Sequence, residues 1–143
     1  MNSLINRAIF GLSILGLIIS AYLAYEYSLS TPIGCPIGGG CETVRQSAFS
    51  SMFGIPIPYF GIAFYLSLAI FSITRVLDLF DGKIKFLIRL IAVVGFLFGA
   101  YLTFLEAFVI HAYCFWCVSS FIISTLILVL TILESLKFYE KRS

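Results

Sequence analysis

The residues in this chain best suited to chemistry are its four cysteines, which come in two pairs. Cys114 and Cys117 form a C-x-x-C within Tyr113-Cys114-Phe115-Trp116-Cys117, while Cys35 and Cys41 bracket Pro36-Ile37-Gly38-Gly39-Gly40. On a helix, positions i and i+3 lie about 5 Å apart between Cα atoms, within the span a disulfide tolerates. Such a pair can pass between dithiol and disulfide with little backbone movement. The first turn of a helix also favours the thiolate, the reactive form. The glycines before Cys41 would leave it on a mobile tether, suited to exchange between two sites. Together the pairs suggest a relay in which outside thiols reduce a Cys35–Cys41 disulfide and that pair passes electrons to Cys114–Cys117. No haem, flavin or iron–sulfur motif accompanies them, so a quinone is the natural acceptor. Two other readings compete: a structural zinc site, which favours two close C-x₂₋₄-C pairs, and cysteines that serve only as structural staples.

The elements that must position these pairs are membrane helices. The chain has 143 residues, 61% of them hydrophobic and 11% charged, with a mean hydropathy of +1.08. Soluble domains carry about 25% charged residues, and disorder needs low hydrophobicity; this composition excludes both. A net charge of +2, dispersed along the chain, gives no footprint for a nucleic-acid partner. Four apolar stretches approach or exceed the length that crosses a bilayer, about 20 helical residues: Ala8–Tyr25, Pro58 to about Leu77, Phe86–Ile110 and Cys114–Leu133. With their flanks they predict helices over about 8–27, 58–78, 86–110 and 114–136, in one domain spanning 1–143. No small-x-small cleavage pattern follows the first stretch, so it is expected to be a retained helix. The expectation is an all-α integral membrane protein, a four-transmembrane-helix bundle with one long loop, 28–57, between helices 1 and 2.

Basic residues orient the bundle. Of nine Lys and Arg, only Arg45 falls in the 28–57 segment. The others precede helix 1, flank the link between helices 2 and 3, or follow helix 4. Both termini are thus expected to be cytoplasmic, in a cell membrane, with the redox loop and the short His111–Tyr113 turn extracytoplasmic. Arg75, at the end of the second span, is expected to snorkel to the surface. Asp81-Gly82 reads as a tight inner turn.

Four spans, a loop cysteine pair and a C-x-x-C at the outer end of the last span resemble the vitamin K epoxide reductase family. Cys41-x-x-Val44-x-x-Ser47 looks like that family's second loop cysteine with its Val and Ser. Ser50-Ser51-x-Phe53-Gly54-Ile55-Pro56 resembles the bacterial and archaeal branch, Phe60-Gly61 the start of the second helix, and Tyr113–Cys117 the redox motif. The resemblance implies that Cys35 meets the redox partner and that Cys41 shuttles, forming a mixed disulfide with Cys114. It also implies that Cys117 faces the quinone and that Ser47 lies near the site. It implies a menaquinone, ubiquinone or related quinone as acceptor. The electron donor it implies is a thioredoxin-like (DsbA-like) protein, expected to be separate because the chain ends at Ser143. Phe121 stands where animal members carry a quinone-contacting tyrosine, and Ile57 where they carry an asparagine; neither side chain can donate a hydrogen bond. The resemblance therefore points to a thiol oxidase that reduces a quinone, ahead of a quinone-epoxide reductase. A non-catalytic membrane anchor with a structural disulfide is the reading from a different class. No metal is expected.

The remaining candidates are placed by chemistry and position. Glu106 is an acid inside a membrane span, which suggests a proton relay, with an interfacial acid as the bland alternative. His111 lies three residues before Cys114 and would join such a relay if the helix started early. Phe53, Ile57, Phe60 and Phe121 are assigned with Cys117 and Ser47 to a quinone pocket. Other aromatics, including Tyr113 and Trp116, also suit the bilayer interface. The Phe49–Phe60 stretch is expected to form a short interfacial helix capping the site.

Overall fold

The computed structural model describes residues 2–77 and 81–143. Among the described residues, four helices are long and apolar enough to cross a membrane: α1 (Asn2–Leu29), α3 (Ile57–Val76), α4 (Asp81–Leu105) and α5 (Phe115–Arg142). A short α2 (Gly40–Gln46) and a two-stranded hairpin, β1 (Ser51–Met52) with β2 (Ile55–Pro56), fill the link between α1 and α3. The helices pack in the ring order α1–α3–α4–α5, with α5 closing on α1. The chain is an all-α membrane bundle.

Its polarity is arranged for lipid. Large apolar side chains such as Ile18, Val94, Leu97 and Leu126 point outward, whereas Asn6, Ser13, Ser72, Ser124 and Thr131 are buried between helices. In hydrocarbon an outward leucine costs nothing and a polar group needs a partner inside the protein. Those partners are present: Asn6 Nδ2 donates to the Ser72 carbonyl at 3.0 Å and Ser72 Oγ to Asn6 Oδ1 at 2.8 Å, joining α1 to α3. Glycine lets these two helices approach. A Cβ on Gly16 would overlap the Tyr65 ring, and one on Gly61 would crowd Ser20 Oγ at 2.5 Å. The apolar core between the helices centres on Ile9, Tyr65, Leu68, Ile88 and Ile127.

Three local expectations are corrected. Arg75 does not snorkel; it is buried and makes a two-pronged salt bridge from α3 to the carboxylate of Glu134 on α5. In place of a short helix over 49–60, residues 51–56 form a hairpin and 57–60 begin α3, with Phe53 and Gly54 at φ 54° and 79° in the hairpin turn. Two successive positive-φ residues suit the twist of a tight hairpin, and Gly54 supplies one of them without steric cost. Asp81-Gly82 opens α4 rather than forming a turn; residues 78–80 before it lie outside the described residues.

Candidate functional site

The redox motif straddles a helix start. Cys114 has extended backbone (φ −91°, ψ 116°) and is the N-cap of α5, so Cys117 falls in the first turn. Ahead of it, α4 ends in a π-helical turn, Glu106–Ile110, closed by His111 in the left-handed conformation. The amides of His111 and Ala112 both donate to the Glu106 carbonyl, the latter at 3.1 Å. This wide turn leaves the Glu106 side chain beneath the C-x-x-C, buried to 3% exposure. Its Oε2 accepts the Cys114 amide at 3.3 Å, and its carboxyl also meets the Cys117 thiol. Glu106 is therefore not an interfacial acid but a buried group bonded to the redox motif. His111 is exposed and precedes the helix, so it shares no helical face with Cys114.

The loop pair is docked onto this motif. Cys35 and Cys41 are joined in a disulfide, while Cys114 and Cys117 are free. Gly38 and Gly39 take φ of 85° and 66°, making the glycine run a turn into α2 rather than a slack tether. Gly40 sits so close to Tyr113 that a Cβ there would overlap the Tyr113 carbonyl. The neighbours of these two residues are Cys41 (1% exposed) and Cys114 (2% exposed), which are buried in one apolar cluster with Leu23, Ile33 and Val44. Cys35 is only half-buried, leaving one sulfur of the bonded pair nearer solvent.

Electrostatics separate the groups. The Cys117 thiol donates to the Cys114 sulfur, and with the Cys117 and Trp116 amides it holds the Cys114 thiol below its ordinary pKa against the effect of burial. A low-pKa sulfur is the better leaving group in disulfide exchange. On α2, the Arg45 guanidinium holds the Glu42 carboxyl down at about 2, helped by Gln46 and the Ile33 amide. Arg45 Nε and a terminal nitrogen reach Glu42 at 3.0 and 2.7 Å, and the Ile33 amide donates to it at 3.2 Å.

Glu42 thus clasps the Cys35 segment to the helix that carries Cys41. Because its pKa is depressed on folding, the clasp contributes stability above its ordinary value of 4.5 and loses it as pH falls toward about 2. Hydrogen exchange at the Ile33 amide, corrected for intrinsic rates, should stay protected from pH 7 to about 4.5 and lose protection below it. In Glu42→Gln the protection should be lower throughout and lack that acid transition.

Beneath the motif lies a cavity of about 470 Å³ between α1, α3, α4 and α5. Its wall is largely apolar, with Glu106, Cys114, Cys117 and Ser120 among the lining residues. Tyr65 Oη lies 2.8 Å from both the Ser120 carbonyl and its hydroxyl oxygen. Of the residues the sequence assigned to a pocket, Cys117, Ile57, Phe60 and Phe121 line it. Ser47 does not: it caps the end of α2, with Oγ donating to the Val44 carbonyl at 2.7 Å. Phe53 is 94% exposed at the hairpin tip.

Sequence reasoning missed four residues of the site. Tyr27, on the wall of the cavity, packs against the cysteine cluster; nothing marks it among eight tyrosines. Glu42 and Arg45, at helical i and i+3 spacing, were a readable ion-pair signal once α2 was recognised. Tyr65 reads as one more core aromatic.

A family model described as the Vitamin K epoxide reductase family matches residues 7–132. No curated protein matches the chain.

Proposed function

We propose, for a chain that belongs to the vitamin K epoxide reductase family, that it oxidises thiols of an extracytoplasmic thioredoxin-like protein and delivers their electrons to a membrane quinone. Members of the family are oxidoreductases with a quinone-linked redox function. One observation carries the finer reading: Cys41 and Cys114 share one buried cluster, with the loop pair bonded and the helix pair free. The basic residues gathered at the end of the bundle away from the cysteines support a cytoplasmic assignment for that end.

In this reading a donor thiolate attacks the half-exposed Cys35 sulfur and Cys41 leaves as a thiolate. The donor's second thiol then displaces Cys35, so the donor gains a disulfide and the loop gains a dithiol. Cys41 attacks Cys114 of an oxidised Cys114–Cys117 pair, and Cys117 leaves. Cys35 next attacks Cys41, re-forming the loop disulfide and expelling the low-pKa Cys114 sulfur. Two electrons and two protons now rest on Cys114 and Cys117. That distribution corresponds to the cysteine states described above.

The cavity fits a quinone ring: it is apolar, and it opens on Cys117 and on the one buried carboxyl beside it. A quinone bound there supplies a two-electron, two-proton acceptor. Cys114 and Cys117 re-form their disulfide as the electrons leave, and Glu106 passes a proton from the Cys117 thiol toward the cavity. Ile57, Phe60 and Phe121 give the ring an apolar wall.

The order of the two pairs is tested by Cys35→Ala. Quinone reduction driven by a reduced thioredoxin-like donor should fall by about 100-fold or more, whereas a small dithiol that reduces Cys114–Cys117 directly should restore it. Equal loss with both donors would place Cys35 elsewhere in the reaction, and no loss with either would favour a structural staple.

A further inference from the structure

We infer that Trp116 is a positioning residue that docks the Cys35 loop onto the redox motif and so presents Cys41 to Cys114. The inference rests on the relay proposed above. Trp116 stands between the two helix cysteines and takes no part in the cavity wall. Its indole Nε1 instead donates to the carbonyl of Gly34, the residue before Cys35, at 2.9 Å. The indole is held in place by Tyr22 of α1, with ring centroids 5.1 Å apart, and by the neighbouring Phe115 ring at 5.4 Å. A Cβ at Gly34 would lie 3.3 Å from the Tyr22 hydroxyl oxygen, a tight contact.

The geometry makes a double clamp. The Ile33 amide is taken by Glu42, next in sequence to Cys41, and the Gly34 carbonyl is taken by Trp116, between Cys114 and Cys117. The Ile33–Cys35 segment is therefore bonded on one side to the loop pair's helix and on the other to the membrane pair's motif. Neither bond involves sulfur, so the clamp can persist while the disulfides exchange. An aromatic ring alone would fill the space beside Tyr22. Only a ring that carries a donor can hold the Gly34 carbonyl, which sets Trp116 apart from phenylalanine.

Trp116→Phe tests this, because it keeps the stacking and removes the N–H. In a Cys117→Ala background, formation of the Cys41–Cys114 mixed disulfide should slow by about tenfold, the scale of one lost hydrogen bond. Hydrogen exchange should speed up in residues 33–46 and stay unchanged in α3, α4 and α5; a merely structural role would loosen the helices as well. In Trp116→Phe alone, with Cys117 present, quinone reduction driven by a small dithiol should match the wild type. Trp116 is the only tryptophan, so its emission should also shift when Gly34 is displaced by Gly34→Val.

An unchanged rate of mixed-disulfide formation with unchanged exchange at 33–46 would overturn the inference. Uniformly faster exchange in all helices would do the same. If the mixed disulfide fails to form even with Trp116 present, the relay itself fails. Localised exchange at 33–46 would then still establish the docking, and its absence would remove that too.

Discussion

Cys117→Ala is expected to abolish turnover and to leave Cys41 covalently bonded to Cys114. The reason lies in the order of sulfur attacks. With Cys117 absent, the membrane pair cannot re-form its own disulfide, and Cys114 has only Cys41 as a buried partner in the same cluster. Cys35 can reopen that bond, so the trapped fraction is largest in Cys35→Ala/Cys117→Ala treated with a small disulfide such as oxidised glutathione, which accepts the two electrons as Cys41 and Cys114 join and leaves no resolving thiol in the chain. Quinone reduction should fall by at least about a thousandfold, because in the proposed relay the residue removed carries the covalent pathway and is not one contact among many. Peptide mapping by mass spectrometry, after thiols are blocked in acid, would identify the Cys41–Cys114 linkage. Its absence from both variants, with Cys41 recovered as the Cys35–Cys41 disulfide in Cys117→Ala and not bonded to Cys114 in the double variant, would reduce the loop pair to a staple.

The second large effect concerns stability at the opposite end of the bundle. Glu134→Ala should destabilise the protein by about 3–5 kcal/mol, since it removes the carboxylate bonded to a buried guanidinium. Both partners are buried between α3 and α5, and a charge held among membrane helices has few other ways to be satisfied. Replacing the pair together, as Arg75→Met/Glu134→Leu, should be near neutral or stabilising by up to about 4 kcal/mol, because neither desolvation cost then arises. Unfolding in mixed detergent micelles would separate the two variants. Similar losses in both would mean that the pair contributes net attraction well beyond its desolvation cost.

This salt bridge also illustrates what sequence patterning can and cannot carry. Four apolar spans are legible because bilayer thickness demands a minimum length of uncharged chain, and the cysteine pairs are legible because thiols have few structural uses at such spacing. A basic residue at the end of a span looks the same whether it faces headgroups or a partner helix. Deciding for Glu134 required knowing that α3 and α5 turn these residues toward each other, which is tertiary information.

The hairpin at 51–56 was hidden for a different reason. Its aromatic and apolar residues suit an interfacial helix as well as a turn, and the positive φ of Phe53 is a conformation that residue seldom adopts. The glycine run before Cys41 was legible as conformational freedom but not as its use. Gly38 and Gly39 turn the chain, and Gly40 permits backbone contact with Tyr113. Glu106 was recognisable as an acid in a span, but its bond to the Cys114 amide depends on a π-helical turn that no residue type announces.

The proposed transfer from Cys114 and Cys117 to a quinone is tested most directly in a single turnover. Protein with the loop pair oxidised and the helix pair reduced would be mixed with a soluble short-chain quinone, with quinol formation followed by ultraviolet absorbance and thiols counted by alkylation. The relay predicts one quinol formed per chain, with Cys114 and Cys117 lost from the alkylated fraction together and the Cys35–Cys41 disulfide unchanged. No quinol from benzo- or naphthoquinones, with Cys114 and Cys117 still alkylated in protein shown to be folded, would contradict it.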